Sequence, residues 1–309
     1  MTTSSAAPAP DVVVTGANGL VGARVCEAVL ERGGTVRAVV RRAGTAPARD
    51  GVVEHVGEFG DPDFARTVVA GADAVVTTVH PMGSDRATQE RVAVEGTVVL
   101  ARAARDAGVG RFVHVSTCAV YDRRPGIGDV DETSPLVADD ADDYAVTKRD
   151  TDLALSEVAG LTGVLVRPPA ILGAGPTSVW NTLRPADIRD DAEQRRTHPD
   201  RSFAWVHVDD LAALTADLAT GRVAAGDDAG SGPLAGGWTA VDVAGEPATA
   251  RDYVGTVTAA LGLEAVWDET LPAWTGQIRT DRARAWGWTP AVRIAEGLAE
   301  LDRGLRPGA

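Results

Sequence analysis

The chain has 309 residues, 44% of them apolar and 24% charged, enough for a sizeable core in one large or two modest domains and unlike a disordered or collagen-like chain. Its 30 basic and 44 acidic residues give a net charge of −14, which disfavours nucleic acid and anionic membranes as partners. No apolar run approaches the ~20 residues of a membrane helix, and the opening MTTSSAAPAP lacks the parts of a secretory signal. Residues 1–10 therefore read as a disordered tail and the protein as cytoplasmic. Two cysteines, Cys26 and Cys118, offer no disulfide framework, and no metal site is expected.

In the N-terminal half, short β-branched runs alternate with helical patterns. Asp11–Thr15 reads as a buried strand, Leu20–Arg32 as a helix ended by Gly33-Gly34, and Thr35–Val40 and Val52–Val56 as strands. Phe64–Ala70 is helical, Ala74–Val79 a strand, Ala87–Ala107 a long helix stopped by Gly108, and Arg111–Ser116 a strand. Tyr144–Ala159 is a helix, and Val164–Arg167 a strand halted by Pro168-Pro169. This alternation predicts an α/β fold, a doubly wound parallel sheet with helices on both faces. After Gly173 the rhythm breaks: 174–204 is rich in Pro, Asp and Arg, 221–237 reads as a loop, and helices return at Ala250–Leu261 and Val292–Leu301. Five of the seven tryptophans follow residue 230 and are expected to pack a second, smaller subdomain. The resulting division is 11–173 with 205–220 and about 276–303 for the main domain, and 174–204 with 233–275 for the smaller, discontinuous subdomain.

Two motifs carry chemistry. Thr15-Gly-Ala-Asn-Gly-Leu-Val-Gly22 lies between the first strand and first helix. There Gly16 permits the turn, Gly19 lets backbone approach a pyrophosphate, and Gly22 lets helix and strand pack closely. The second strand ends in Arg41 and Arg42, with Arg37 earlier on it and no carboxylate at its end; that favours NADP over NAD. The second motif is Tyr144-Ala-Val-Thr-Lys148, whose i, i+4 spacing puts phenol and ammonium on one helix face. Lys148 is the one lysine among 30 basic residues. An ammonium beside a phenol is expected to lower its pKa from about 10 and suit it to proton transfer.

With both motifs in place, the chain resembles the extended short-chain dehydrogenase/reductase superfamily, in its NAD-dependent epimerase/dehydratase group. The resemblance spans roughly residues 11–303. TGANGLVG is similar to the family's TGxxGxxG, HVSTCAVY (His114–Tyr121) to its vSSxxvYG, and YAVTK to its Tyr-Lys pair. RPPAILGAG (Arg167–Gly175), WVHVDDLA (Trp205–Ala212) and TDRARAWGWTP resemble its later segments. The resemblance implies catalysis by Thr117, Tyr144 and Lys148, with Lys148 also holding the nicotinamide ribose. It implies a cofactor site formed by Gly16, Asn18, Gly19, Leu20, Val21, Gly22, Arg41, Arg42, Glu58, Phe59, Val79, Tyr144, Lys148, Pro168 and Ala170. It also implies a homodimer paired through the helices 87–107 and 144–159, with Ala93, Val94, Val98, Val99 and Ala103 on the face of the first.

Departures from the family pattern narrow the chemistry. Cys118-Ala119 replaces the Asp-Glu pair of sugar-nucleotide 4,6-dehydratases, and Phe203 stands where a diphosphate-binding arginine is usual, with Arg201 two residues away. Ala93 replaces the usual Asn, and Asp122 a glycine. The reading favoured is hydride transfer between NADP(H) and a ketone, aldehyde or secondary alcohol, with Tyr144 as proton donor or acceptor. The alternatives are a nucleotide-sugar epimerase or 4-ketoreductase and, from another class, a non-catalytic cofactor sensor, which commonly loses the Tyr or Lys. His80, Trp180, Trp205 and Trp238 are candidates to line the substrate pocket.

Overall fold

The computed structural model describes residues 8–306. Of the expected tail, residues 1–7 lie outside the described residues, and Pro10 already accepts a backbone bond from Thr35 at 2.8 Å. Strand β1 (Asp11–Thr15) is followed by α1 (Leu20–Glu31), β2 (Thr35–Val40), β3 (Val52–Val56), α2 (Pro62–Val69) and β4 (Ala74–Thr77). Next come α3 (Arg86–Gln89), a π-helical stretch at Glu90–Glu95, α4 (Gly96–Asp106), β5 (Arg111–Val115), α5 (Asp143–Ser156) and β6 (Thr162–Arg167). Further on are β7 (Ala170–Leu172), α6 (Arg184–Asp190), β8 (Arg196–Thr197), β9 (Trp205–His207), α7 (Val208–Ala219) and β10 (Trp238–Asp242). The chain ends with α8 (Ala250–Leu261), β11 (Val266–Trp267), α9 (Asp281–Ala285) and α10 (Ile294–Leu305).

Seven parallel strands form one sheet in the order β10-β6-β5-β4-β1-β2-β3. The doubly wound expectation holds because the strands are apolar on both sides. Val12 and Val14 pack with Val25, Val29, Leu211 and Leu214 on one face, while Val13 packs with Val68, Leu100 and Leu155 on the other. Alternate residues of a strand serve opposite faces, so both must be covered. A separate core of Leu172, Ile188, Phe203, Trp205, Tyr253, Val257 and Leu301 builds a smaller C-terminal layer. No helix among the described residues is long and apolar enough to cross a membrane.

Several boundaries differ from expectation. The strand expected to reach Val79 stops at Thr77, where Thr78 turns its hydroxyl onto the Thr15 carbonyl at 2.8 Å. The helix expected over 87–107 contains the π stretch, after which Gly96 sits almost backbone to backbone on Gly60. A Cβ on Gly60 would lie 3.0 Å from the Gly96 Cα. The tryptophans divide among four cores. Trp238 opens the edge strand β10 and lies over Gly163, where a Cβ would fall 2.4 Å from the indole. Trp286 and Trp288 complete the core under α1 and α7, leaving Trp267 and Trp274 outside the main domain's cores. Strand β10 thus assigns part of 233–275 to the main sheet. Of the apolar face expected to pair in a dimer, Ala93 in the π-helical stretch and Ala103 in α4 are buried within the chain itself.

Candidate active site

The C-terminal ends of β1, β2, β4 and β5 open into one cavity of about 1520 Å³. Its phosphate end is shaped by glycine geometry. Gly16 adopts φ 69°, and a Cβ there would meet the Thr78 hydroxyl at 2.7 Å. On Gly22 a Cβ would fall 2.1 Å from the Gly16 carbonyl, so only glycine lets α1 start beneath the loop. Gly19 precedes α1 with no side-chain cap, which leaves the first-turn N–H groups free to meet an anion. Gly16, Asn18, Gly19, Leu20, Val21 and Gly22 all line the cavity. This cradle fits a dinucleotide pyrophosphate.

At the end of β2, Arg41 and Arg42 line the same cavity, both exposed. Arg37 does not join them: it pairs with Asp11 at 2.7 Å and donates to the Val68 and Ala70 carbonyls. The carboxylate of β3, Glu54, is already occupied by the N–H groups of Gly44, Thr45 and Ala46 at 2.9, 3.1 and 3.0 Å. Those bonds hold its pKa below the usual carboxylate range. Glu58, Phe59 and Val79 also line the cavity, as does Ala170. Pro168 does not: its carbonyl accepts the Cys118 N–H at 2.8 Å, and Pro169 stands in the wall instead.

Tyr144, Lys148 and Thr117 all line the same cavity, and the Thr117 hydroxyl is hydrogen-bonded to the Tyr144 phenol. Asp142 caps the helix that carries the first two, accepting from Ala145 N at 3.0 Å. Lys148 is 4% exposed and donates to the Val115 carbonyl at 2.9 Å. Burial pulls its pKa from 10.5 down to about 8, against the attraction of Asp152. The sequence suggested that this ammonium lowers the phenol's pKa. In the structure burial raises the Tyr144 pKa, and the Thr117 hydroxyl is the main group opposing that rise. The ammonium is aimed at a β5 carbonyl.

His80 meets Tyr144 edge-on, with ring centroids 4.8 Å apart. Gln89 donates to Ser84 O at 2.8 Å, which fixes its amide so that its Oε1 accepts from His80 Nε2 at 2.9 Å and from Thr147 at 2.9 Å. Burial, then Lys148, lowers the His80 pKa to about 4, so the ring is neutral near pH 7. Behind the site, Arg167 bonds Asp152 at 2.9 Å and Tyr121 at 2.7 Å, and Tyr121 donates to Asp242 at 2.8 Å. This buried chain fixes α5 against β6 and β10.

Of the tryptophans proposed for the pocket, Trp180 lines it. Trp205 is buried, with its N–H on Glu246 O, and Trp238 bonds Val158 O. Sequence reasoning missed Gln89, Ser116, Arg123 and Arg184. Nothing in the spacing of Gln89, Arg123 or Arg184 marks them, and an arginine has little contrast in a chain with one lysine, whereas Ser116 sits inside HVSTCAVY beside Thr117.

Set beside known proteins, the chain is 33% identical over 184 residues to a 3-beta-hydroxysteroid dehydrogenase of Mycolicibacterium neoaurum, covering 56% of this chain and 50% of that one. It is 36% identical over 173 residues to a dihydroquinoline-1-oxide ketoreductase of Stigmatella aurantiaca, 53% of this chain and 51% of that one. The chain thus spans about half the length of these curated relatives. Its fold matches that of the Bordetella bronchiseptica enzyme WbmH, solved with NAD+, at a TM-score of 0.75 and 22% identity, over 94% of this chain and 97% of that one. Residues 12–226, which hold the glycine loop, the Tyr144 helix and all of the sheet but β10, match the NAD dependent epimerase/dehydratase family, and to that family the chain belongs.

Proposed function

We propose that the protein is an NADP(H)-dependent oxidoreductase that interconverts a ketone or aldehyde and the corresponding alcohol. The observation that carries this reading is one continuous cavity holding the glycine cradle at one end and Thr117, Tyr144 and Lys148 farther in. The dinucleotide, when bound, supplies or accepts the hydride. Tyr144 Oη gives a proton to the reacting oxygen or takes one from it, and the Thr117 hydroxyl donates a hydrogen bond to that same oxygen. Lys148 would hold the nicotinamide ribose, and the Thr117 hydroxyl, the main group opposing the rise in the phenol's pKa, would favour the phenolate as the proton leaves.

Arg41 and Arg42 would hold a 2′-phosphate, a role that the engagement of Glu54 by loop N–H groups supports. The names of the two curated relatives, a dehydrogenase and a ketoreductase, favour carbonyl chemistry. Dehydration by an acid-base pair after Thr117 has no support: Cys118 is buried with its thiol on Arg167 O at 3.0 Å, and Ala119 follows. The same reading places the enzyme in the cytoplasm as a homodimer paired through α4 and α5. A screen of NADPH and NADH oxidation over ketones, aldehydes and dTDP- or UDP-keto-sugars tests it. Turnover of simple carbonyls with NADPH is expected; turnover confined to keto-sugars would overturn it.

A further inference from the structure

Beyond Tyr144 the cavity changes character. Arg123, Arg184, Arg196 and Arg201 line its far end. The acidic residues in its wall, Glu58 and Glu95, belong to the opposite end, where Gly96 packs on Gly60. In a chain of net charge −14, a half-cavity bearing four arginines and no carboxylate runs against the general composition.

Two of the four are already engaged: Arg196 pairs with Asp268 at 2.6 Å, and Arg184 donates to the Gln194 side chain. Arg123 and Arg201 have no hydrogen-bond acceptor for their guanidinium groups among the described residues. Arg123 is partly buried and lies over Trp274, 5.4 Å from the ring centroid, while the Trp274 N–H is fixed on Gly128 O at 3.0 Å. Asp142 attracts Arg123, but its carboxylate is already the cap of α5. Burial disfavours the charged form of Arg123, and the neighbouring Arg201 adds to that. A half-buried cation facing a second cation is costly unless an anion joins them.

We propose that the substrate carries an anionic group, a carboxylate or a phosphate, which Arg123 and Arg201 hold while its carbonyl meets Thr117 and Tyr144. The placement of the carbonyl rests on the oxidoreductase reading; the anion site does not. Two planar guanidinium groups suit the paired oxygens of either anion. An anchor at this end of the cavity would turn the reacting carbon toward Tyr144 and the cofactor cradle.

The test is calorimetric binding to the NADP+-loaded protein. The probes are short oxo-carboxylates and oxo-alkyl phosphates, each measured beside its neutral ester or parent ketone. The anionic member of at least one pair is expected to bind about tenfold tighter than its neutral partner, the scale of one charge-assisted bond. Whichever series shows the margin identifies the anion. Arg123→Gln and Arg201→Gln are each expected to erase the margin while leaving the neutral partner and NADPH bound as before. They lie on separate segments, so misfolding of one, visible in its melting curve, leaves the other as the test. Equal binding within every pair, no binding by any anionic member, or a margin that survives in the folded variants overturns the proposal. Anions that bind at the arginines but are never reduced would refute the oxidoreductase reading and leave the site standing.

Discussion

Replacing Lys148 by methionine should stabilise the fold while destroying the activity proposed for it. The ammonium is 4% exposed, has one carbonyl partner, Val115 O, and titrates near 8 in place of 10.5. That fall corresponds to about 3 kcal/mol against the folded, charged lysine. Below pH 8 the side chain is protonated in both folded and unfolded chains, so the whole penalty is present at neutral pH. Between about 8 and 10.5 the folded chain sheds its proton first and the penalty fades. Methionine has a similar volume, and Asp152 keeps Arg167 at 2.9 Å; the main loss is the bond to Val115 O, about 1 kcal/mol. The net gain at pH 7 is about 2 kcal/mol, or ~4–8 °C in melting temperature. Melting curves of parent and variant should diverge most at pH 7 and converge as pH rises through 8 toward 10. A variant that melts at or below the parent at pH 7, or a gap that ignores pH, would refute the claim that burial of this charge is costly.

Four further outcomes follow from the site. Tyr144→Phe should retain NADPH binding by fluorescence titration and lower turnover by ~10²–10⁴; a loss of only a few-fold would remove Tyr144 as the proton donor. NADPH should bind at least about tenfold tighter than NADH, with Arg41→Asp collapsing the ratio; titration of both nucleotides against both proteins decides it. Gly22→Ala, whose methyl would sit 2.1 Å from Gly16 O, should abolish nucleotide binding and lower the melting temperature, whereas Gly71→Ala, which meets nothing nearby despite its positive φ, should leave binding intact. Light scattering at micromolar concentration should give a dimer mass, and a monomer would exclude pairing through α4 and α5.

The sheet was legible because its strands are short, β-branched and flanked by glycine, so periodicity and punctuation agree. The cradle was legible for a related reason: Gly22 is demanded by the Gly16 carbonyl six residues earlier, although the contact that demands Gly16 is with Thr78, beyond β4. Legibility failed where a residue's role depends on a distant partner. Trp238 reads as subdomain filler until Gly163, 75 positions earlier, is seen to leave room for it. Arg37 and Arg41 look alike in VRAVVRR, and it is Asp11 on the neighbouring strand, with the Val68 and Ala70 carbonyls, that separates the engaged arginine from the one lining the cavity. The Tyr144-Lys148 spacing places both groups on one face, but the direction of the ammonium is set by a carbonyl on β5. Burial, absent from any linear pattern, sets the direction of the phenol's shift.

The seventh strand has a consequence for how the chain is made. On the ribosome, β6 is fully synthesised when Arg167 has been added, but its outer neighbour β10 is complete only at Asp242. Until then the nascent sheet presents a bare edge, Thr162–Arg167, whose inner residues are fully apolar. The core beneath α1, among the first elements made, waits longer still, for Trp286 and Trp288. Early and late residues are therefore locked in one cooperative unit, and synthesis offers no halfway point at which the main sheet is complete. A chain cut after residue 226 would keep all the matched residues yet expose that edge, and should be recovered as aggregate.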